Sequence, residues 1–230
     1  MDRDELKRAA ALRALDYVKD GMVLGLGTGS TAYFVVEGLG RRVAQGLSIT
    51  GIPTSERTAA HARSLNIPLS DFGAHSRIDL TIDGADEVER GSLNLIKGLG
   101  GALLREKIVA AASRQLVIVV DQEKLVARLG DHTPVPVEVV QFGWQATAAA
   151  LTRLGAEPVL RHATEDHVFI TDGGNYILDC RFGPITDPAQ LEQRIGMTVG
   201  VVESGLFVNR AAAVIAATAG GVEVLHRSTS

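Results

Sequence analysis

One cysteine, Cys180, is all that the 230 residues contain. No intramolecular disulfide can form, no cysteine cluster is offered to a metal, and a reducing cytoplasm is the expected compartment. The six histidines (His61, His75, His132, His162, His167 and His226) are scattered, without His-Xaa-Xaa-Xaa-His spacing. No metal site is expected from them. An excess of positive charge is also missing. The net charge is −4, with both signs spread along the chain, which leaves no basic stripe for nucleic acid. Apolar runs stay well short of the roughly 20 residues of a membrane span. Met1-Asp2-Arg3-Asp4-Glu5 lacks the apolar core of a signal peptide. Neither nucleic acid nor membrane is an expected partner.

Nucleotide and hydrolase signatures are absent too. In Gly25-Leu26-Gly27-Thr28-Gly29-Ser30-Thr31, Ser30 stands where a dinucleotide turn needs its third glycine. The next strand ends in Thr50-Gly51-Ile52-Pro53, with no carboxylate for ribose hydroxyls. There is no Gly-Lys-Ser/Thr, and no serine sits in Gly-Xaa-Ser-Xaa-Gly.

What is present suits a folded core: hydrophobic content is 46% and mean hydropathy +0.15. The length fits one large domain, or one domain with a small companion. An amphipathic helix is predicted over Asp4 to Val18. Strands Met22–Leu26 and Ser48–Ile52, each followed by a helix, come next. Ile78–Ile82 and Leu93–Ile96 are apolar runs that end in charged turns, and Leu116–Val120 is a further strand. Such alternation predicts an α/β fold: a Rossmann-like parallel sheet with right-handed crossovers and helices on both faces.

After Gly130 the pattern changes. Thr133-Pro134-Val135-Pro136 reads as a hinge. A strand, helix and strand follow, then an expected hairpin of Val168–Ile170 with Tyr176–Leu178 around Asp172-Gly173-Gly174-Asn175. Asp187-Pro188 starts another helix. The layout is that of a smaller α+β domain of split β-α-β type. Gly205-Leu206-Phe207-Val208 is expected to return the chain to the first sheet. The expected domains are therefore 1–132 with 205–230, and 133–204.

Three turns carry chemistry. Gly25 to Thr31 joins a strand to a helix, where backbone N–H groups and the hydroxyls of Thr28, Ser30 and Thr31 can hold a small anion such as a monophosphate. Asp83-Gly84-Ala85-Asp86 places two carboxylates near one ligand. Lys97-Gly98-Leu99-Gly100-Gly101 brings a lysine that can stabilise an oxyanion in a dry cleft. Glu106, in the first turns of the following helix, is either a base or an ordinary i, i+4 partner; its spacing leaves both open. Cofactor-free proton chemistry on a small phosphorylated substrate remains.

Taken in order, these segments resemble type A ribose-5-phosphate isomerase, along nearly the whole chain. Thr54-Ser55-Glu56, Leu104-Arg105-Glu106-Lys107, Pro136-Val137-Glu138-Val139 and Asp172-Gly173-Gly174-Asn175 add to the match. The resemblance implies an isomerase acting between ribose 5-phosphate and ribulose 5-phosphate, with no cofactor and no metal. Glu106 matches the general base that works through an enediol(ate). Asp83, Asp86 and Lys97 match the groups that handle the sugar hydroxyls and carbonyl. The segments Thr28, Gly29, Ser30, Thr31 and Gly84, Ala85, Gly98, Leu99, Gly100 match substrate-binding backbone, and Lys124 and Lys7 match phosphate-holding lysines. A homodimer or homotetramer is implied. Leu99 departs from the pattern by standing where a glycine is usual; a positive φ there would strain it.

Overall fold

The computed structural model describes residues 3–227. Met1, Asp2 and 228–230, which the sequence reading placed at the ends of the larger domain, lie outside the described residues. The chain runs through α1 (Arg3–Ala14), β1 (Val23–Leu26), α2 (Ser30–Ala44), β2 (Thr50–Pro53), α3 (Glu56–Ser64), β3 (Leu80–Asp83), β4 (Glu87–Glu89) and β5 (Leu95–Ile96). Next come α4 (Leu103–Ala111), β6 (Leu116–Asp121), β7 (Leu125–Val126), β8 (Val135–Val139), α5 (Trp144–Arg153) and β9 (Glu157–Leu160). The remainder is β10 (His162–Thr164), β11 (His167–Val168), β12 (Tyr176–Arg181), α6 (Pro188–Gly196), β13 (Val201–Ser204), β14 (Leu206–Phe207), β15 (Ala213–Thr218) and β16 (Gly221–His226). No described helix is long and apolar enough to cross a membrane.

The main sheet has the order β16-β15-β6-β3-β1-β2. It is parallel except for the edge pair β15–β16. Strand alternation explains why it is covered on both faces. Val117 and Val119 of β6 pack with Ala10 and Leu15 from the first helical segment and Val35 of α2. Ile118 and Val120 face the other way, onto Ala110 of α4 and onto Leu95 and Phe207. A second, antiparallel sheet has the order β13-β8-β12-β9. There β12 separates β8 from β9, the split β-α-β arrangement. Its core includes Val137, Leu151 and Leu178, and also takes in Ile96, Val126 and Leu206. The small sheet is thus continuous with packing under the lysine turn.

Four expectations change. Leu93–Ile96 is not a strand of the parallel sheet: only Leu95–Ile96 is extended, antiparallel to β4 and β14 in a third sheet ordered β14-β5-β4-β7. The link from β3 is too short for the crossover that parallel strands need. Leu206–Phe207 joins this third sheet as well, and β15 makes the return to the first sheet. The expected hairpin is also replaced. β11 pairs with β10, whereas β12 pairs with β8 and β9. The turn between them is held by Glu138 instead, whose Oε1 accepts from Thr171 Oγ1 at 2.8 Å and Asn175 Nδ2 at 2.9 Å. Finally, the segment read as a hinge is pinned. Buried Glu87 accepts the N–H groups of Gly130, His132 and Thr133 at 2.6, 2.8 and 2.7 Å, and the Thr133 hydroxyl at 2.5 Å. Burying an ionised carboxylate is costly, and donors surrounding it in this way offset that cost.

Candidate active site

Strands β1, β3 and β6 run parallel, so their C-terminal ends open on one edge of the sheet, where ligands of open α/β sheets sit. Each end delivers functional backbone or charge: the Gly27–Thr31 turn from β1, Asp83 from β3 and Asp121 from β6. The first two touch. Thr28 and Gly84 donate their N–H groups to Asp83 Oδ1 at 3.0 and 2.7 Å. Gly27 makes this possible, since a Cβ there would fall 2.3 Å from the same oxygen.

Lys97 enters from the third sheet, its backbone N–H donating to Gly205 O at 2.8 Å. Its Nζ lies 3.0 Å from Asp83 Oδ2 and 3.3 Å from Glu106 Oε1, and donates to Gly84 O at 2.5 Å. All three charged side chains are buried. Glu106 Oε2 is buried without a hydrogen-bond partner among the described residues. Burial pushes the Glu106 carboxyl up to about 8, with Lys97 opposing and Asp83 and Asp86 reinforcing the rise. Burial likewise raises Asp83, against the pull of Lys97 and the Gly84 and Thr28 N–H groups. For Lys97, burial works against the ammonium, but Asp83, Glu106 and Asp86 outweigh it and hold its pKa above the usual lysine range.

A cleft of about 250 Å³ spans this cluster and the β1–α2 turn. Lys7, Thr28, Gly29, Ser30, Thr31, Gly84, Ala85, Asp86, Lys97, Gly98, Gly100, Glu106 and Lys124 all line it. Its lining mixes the cations Lys7, Lys97 and Lys124 with the carboxylates Asp86 and Glu106 and takes in the start of α2. Two expected residues, Asp83 and Leu99, are not part of the lining. Asp83 is saturated by its three partners, and Leu99 is 43% exposed, touching the site through its N–H, which donates to Asp86 Oδ2 at 2.9 Å. Leu99 is unstrained, because the positive φ angles of this turn fall on Gly98 (106°) and Gly101 (82°).

The hydroxyl of Thr28 differs from expectation. It lies 2.7 Å from that of Thr54 and 3.0 Å from that of Thr58, and donates to Ser55 Oγ at 2.8 Å. This buried cluster consumes it, so Thr28 supports the turn rather than offering its hydroxyl to an anion. Arg3 and Asp121 also line the cleft, with Arg3 Nε 3.6 Å from Asp121 Oδ2. Sequence reading passed over both. Asp121 ends an apolar strand just as Asp83 does, a signal that could have found it. Arg3 has none.

Comparison with known proteins matches residues 50–221 to the model of the family described as Ribose 5-phosphate isomerase A (phosphoriboisomerase A). The chain is 64% identical over 230 residues to ribose-5-phosphate isomerase A of Gloeobacter violaceus, covering 100% of both chains. It is 57% identical to that of Gluconobacter oxydans, over 96% of each. Among solved structures, a D-ribose-5-phosphate isomerase in complex with phospho-erythronic acid is 39% identical with a TM-score of 0.95, over 99% of this chain and 100% of that one. The enzyme from Methanocaldococcus jannaschii gives 41% and 0.93, over 97% and 99%. With sequence and architecture agreeing from end to end, the chain belongs to the ribose 5-phosphate isomerase A family.

Proposed function

We propose that this chain interconverts D-ribose 5-phosphate and D-ribulose 5-phosphate by metal-free proton transfer, with Glu106 as the general base. The observation that carries this reading is Glu106 Oε2, a buried carboxylate oxygen with no hydrogen-bond partner among the described residues, in a cleft also lined by Lys7, Lys97 and Lys124. A base works best when its pKa lies near the working pH, and burial lifts Glu106 toward that range. The phosphate is held by the N–H groups opening α2 and by Lys7 and Lys124. The open-chain sugar then extends toward the carboxylates. Glu106 removes the C2 proton and returns one at C1, while the O2 hydroxyl loses a proton and O1 gains one. The Lys97 ammonium stabilises the charge that develops on oxygen. Asp83 anchors that ammonium, and Asp86, half-buried and lining the cleft, meets the sugar hydroxyls.

The division of the chain into 1–132 with 205–230 and 133–204 belongs to the same reading, as does assembly into a homodimer or homotetramer. Phe142 and Val199, 95% and 91% exposed, are apolar surface that assembly would cover.

The test is to incubate EDTA-treated protein with ribose 5-phosphate in D₂O and follow the products by NMR. Ribulose 5-phosphate carrying solvent deuterium is expected. Folded protein that binds the sugar phosphate yet forms no ketose and exchanges no proton would overturn the reaction. A second expected outcome concerns the phosphate. Lys124→Ala raises KM by about 10-fold, the worth of one charge-assisted hydrogen bond, with a smaller change in kcat. Steady-state kinetics decide it, and an effect confined to kcat would contradict phosphate holding.

A further inference from the structure

Arg161 follows β9 in the small sheet, far along the chain from the cleft, yet its guanidinium reaches the lysine turn. Nη1 donates to Gly98 O at 2.9 Å and to Leu99 O at 3.1 Å. The rest of the fork is fixed from behind: Nε donates to Asp179 Oδ2 at 2.9 Å and Nη2 to Asp179 Oδ1. The side chain is 12% exposed, and its backbone is tied down by an N–H donated to Ile177 O at 2.9 Å.

In a trans peptide the C=O and N–H point in opposite directions. The peptide joining Gly98 to Leu99 therefore has Arg161 at its carbonyl and Asp86 at its N–H, the latter at 2.9 Å. The following peptide also turns its carbonyl to Arg161. That directs the Gly100 N–H to the opposite side, and Gly100 lines the cleft. Two successive N–H groups facing one way form a concave donor pair suited to a negatively charged oxygen.

We infer that Arg161, backed by Asp179, is a positioning residue for the isomerisation: it holds two peptides of the lysine turn so that the Leu99 N–H fixes Asp86 and the Gly100 N–H faces the substrate. This rests on the reaction proposed above. Arg161 touches neither the phosphate end nor the base, so its loss acts on the chemical step.

The test compares Arg161→Met and Arg161→Lys with the parent, reading kcat and KM together with hydrogen exchange of a peptide spanning residues 97–102. In Arg161→Met, kcat falls about 10- to 100-fold, the scale of a small misplacement of reacting groups, while KM changes by less than about threefold. Exchange in 97–102 speeds up in the same variant. Arg161→Lys recovers part of kcat, because an ammonium can reach a carbonyl but cannot fork across Asp179 as well. Should Arg161→Met fail to fold, Arg161→Lys alone must show reduced kcat and faster exchange. Parental kcat in a folded variant, or unchanged exchange, would overturn the inference. An inactive parent would remove the reaction assignment, and the exchange result would still decide whether Arg161 holds the turn.

Discussion

Glu106→Gln binds the sugar phosphate and turns it over about 100- to 10,000-fold more slowly than the parent, the range lost with a general base. Gln keeps the size of the side chain and can still approach Lys97, but it cannot accept the C2 proton. In the parent, kcat/KM rises with pH toward about 8 as Glu106 ionises; the variant's residual rate lacks this limb. Stability moves the other way. A carboxyl whose pKa is raised on folding holds its proton more tightly in the folded protein than in the unfolded chain. Its contribution is therefore complete below about pH 4.3 and is lost as the pH rises to about 8. Gln has no such proton to lose. The variant consequently melts a few degrees above the parent at pH 8.5, at roughly 2–4 °C per kcal/mol, and the gap closes toward pH 5. Paired kinetics and melting curves check both halves. Near-parental turnover would take Glu106 out of the reaction.

Lys97→Met produces the second large effect, on folding itself. The ammonium is the counter-charge for Asp83 and Glu106, at 3.0 and 3.3 Å. Methionine fills a similar space and leaves two buried carboxylates facing each other. Removing one partner of a buried charge cluster costs about 3–5 kcal/mol, so Tm drops by roughly 10 °C at pH 8. Without Lys97, both carboxylates bind protons more tightly in the folded state. Their destabilisation is thus greatest at alkaline pH and eases as the pH falls and they become neutral. A melting temperature unchanged at pH 8 would mean that the carboxylates do not depend on Lys97.

The site was legible in sequence where the reporting residue sits at the end of an apolar strand. Asp83 after Leu80–Ile82 and the turn after Val23–Leu26 both announce themselves this way, because a buried strand has no other use for a charge or a run of glycines at its end. Asp121 obeys the same rule. Glu106 could be placed on its helix but not assigned by spacing, since its partner Lys97 reaches it through the tertiary fold; only the family resemblance singled it out as the proposed base. Arg161 and Arg3 were invisible. Arg161 lies 63 residues from Gly98, and Arg3 reaches Asp121 only because α1 packs on β6. The strands of two or three residues in the third sheet carry too little alternation to read. The fate of the Thr28 hydroxyl depended on Thr54, Ser55 and Thr58, residues brought close only once β1 and β2 are paired.

Glu87 couples two parts of the chain that are far apart in sequence. It sits in β4, only four residues beyond Asp83, but all its donors come from 130–133. Drawing that carboxylate out of water before those amides arrive would strand an unpaired charge. Burial of Glu87 in β4 and docking of the segment leading into β8 are therefore energetically coupled, each incomplete without the other.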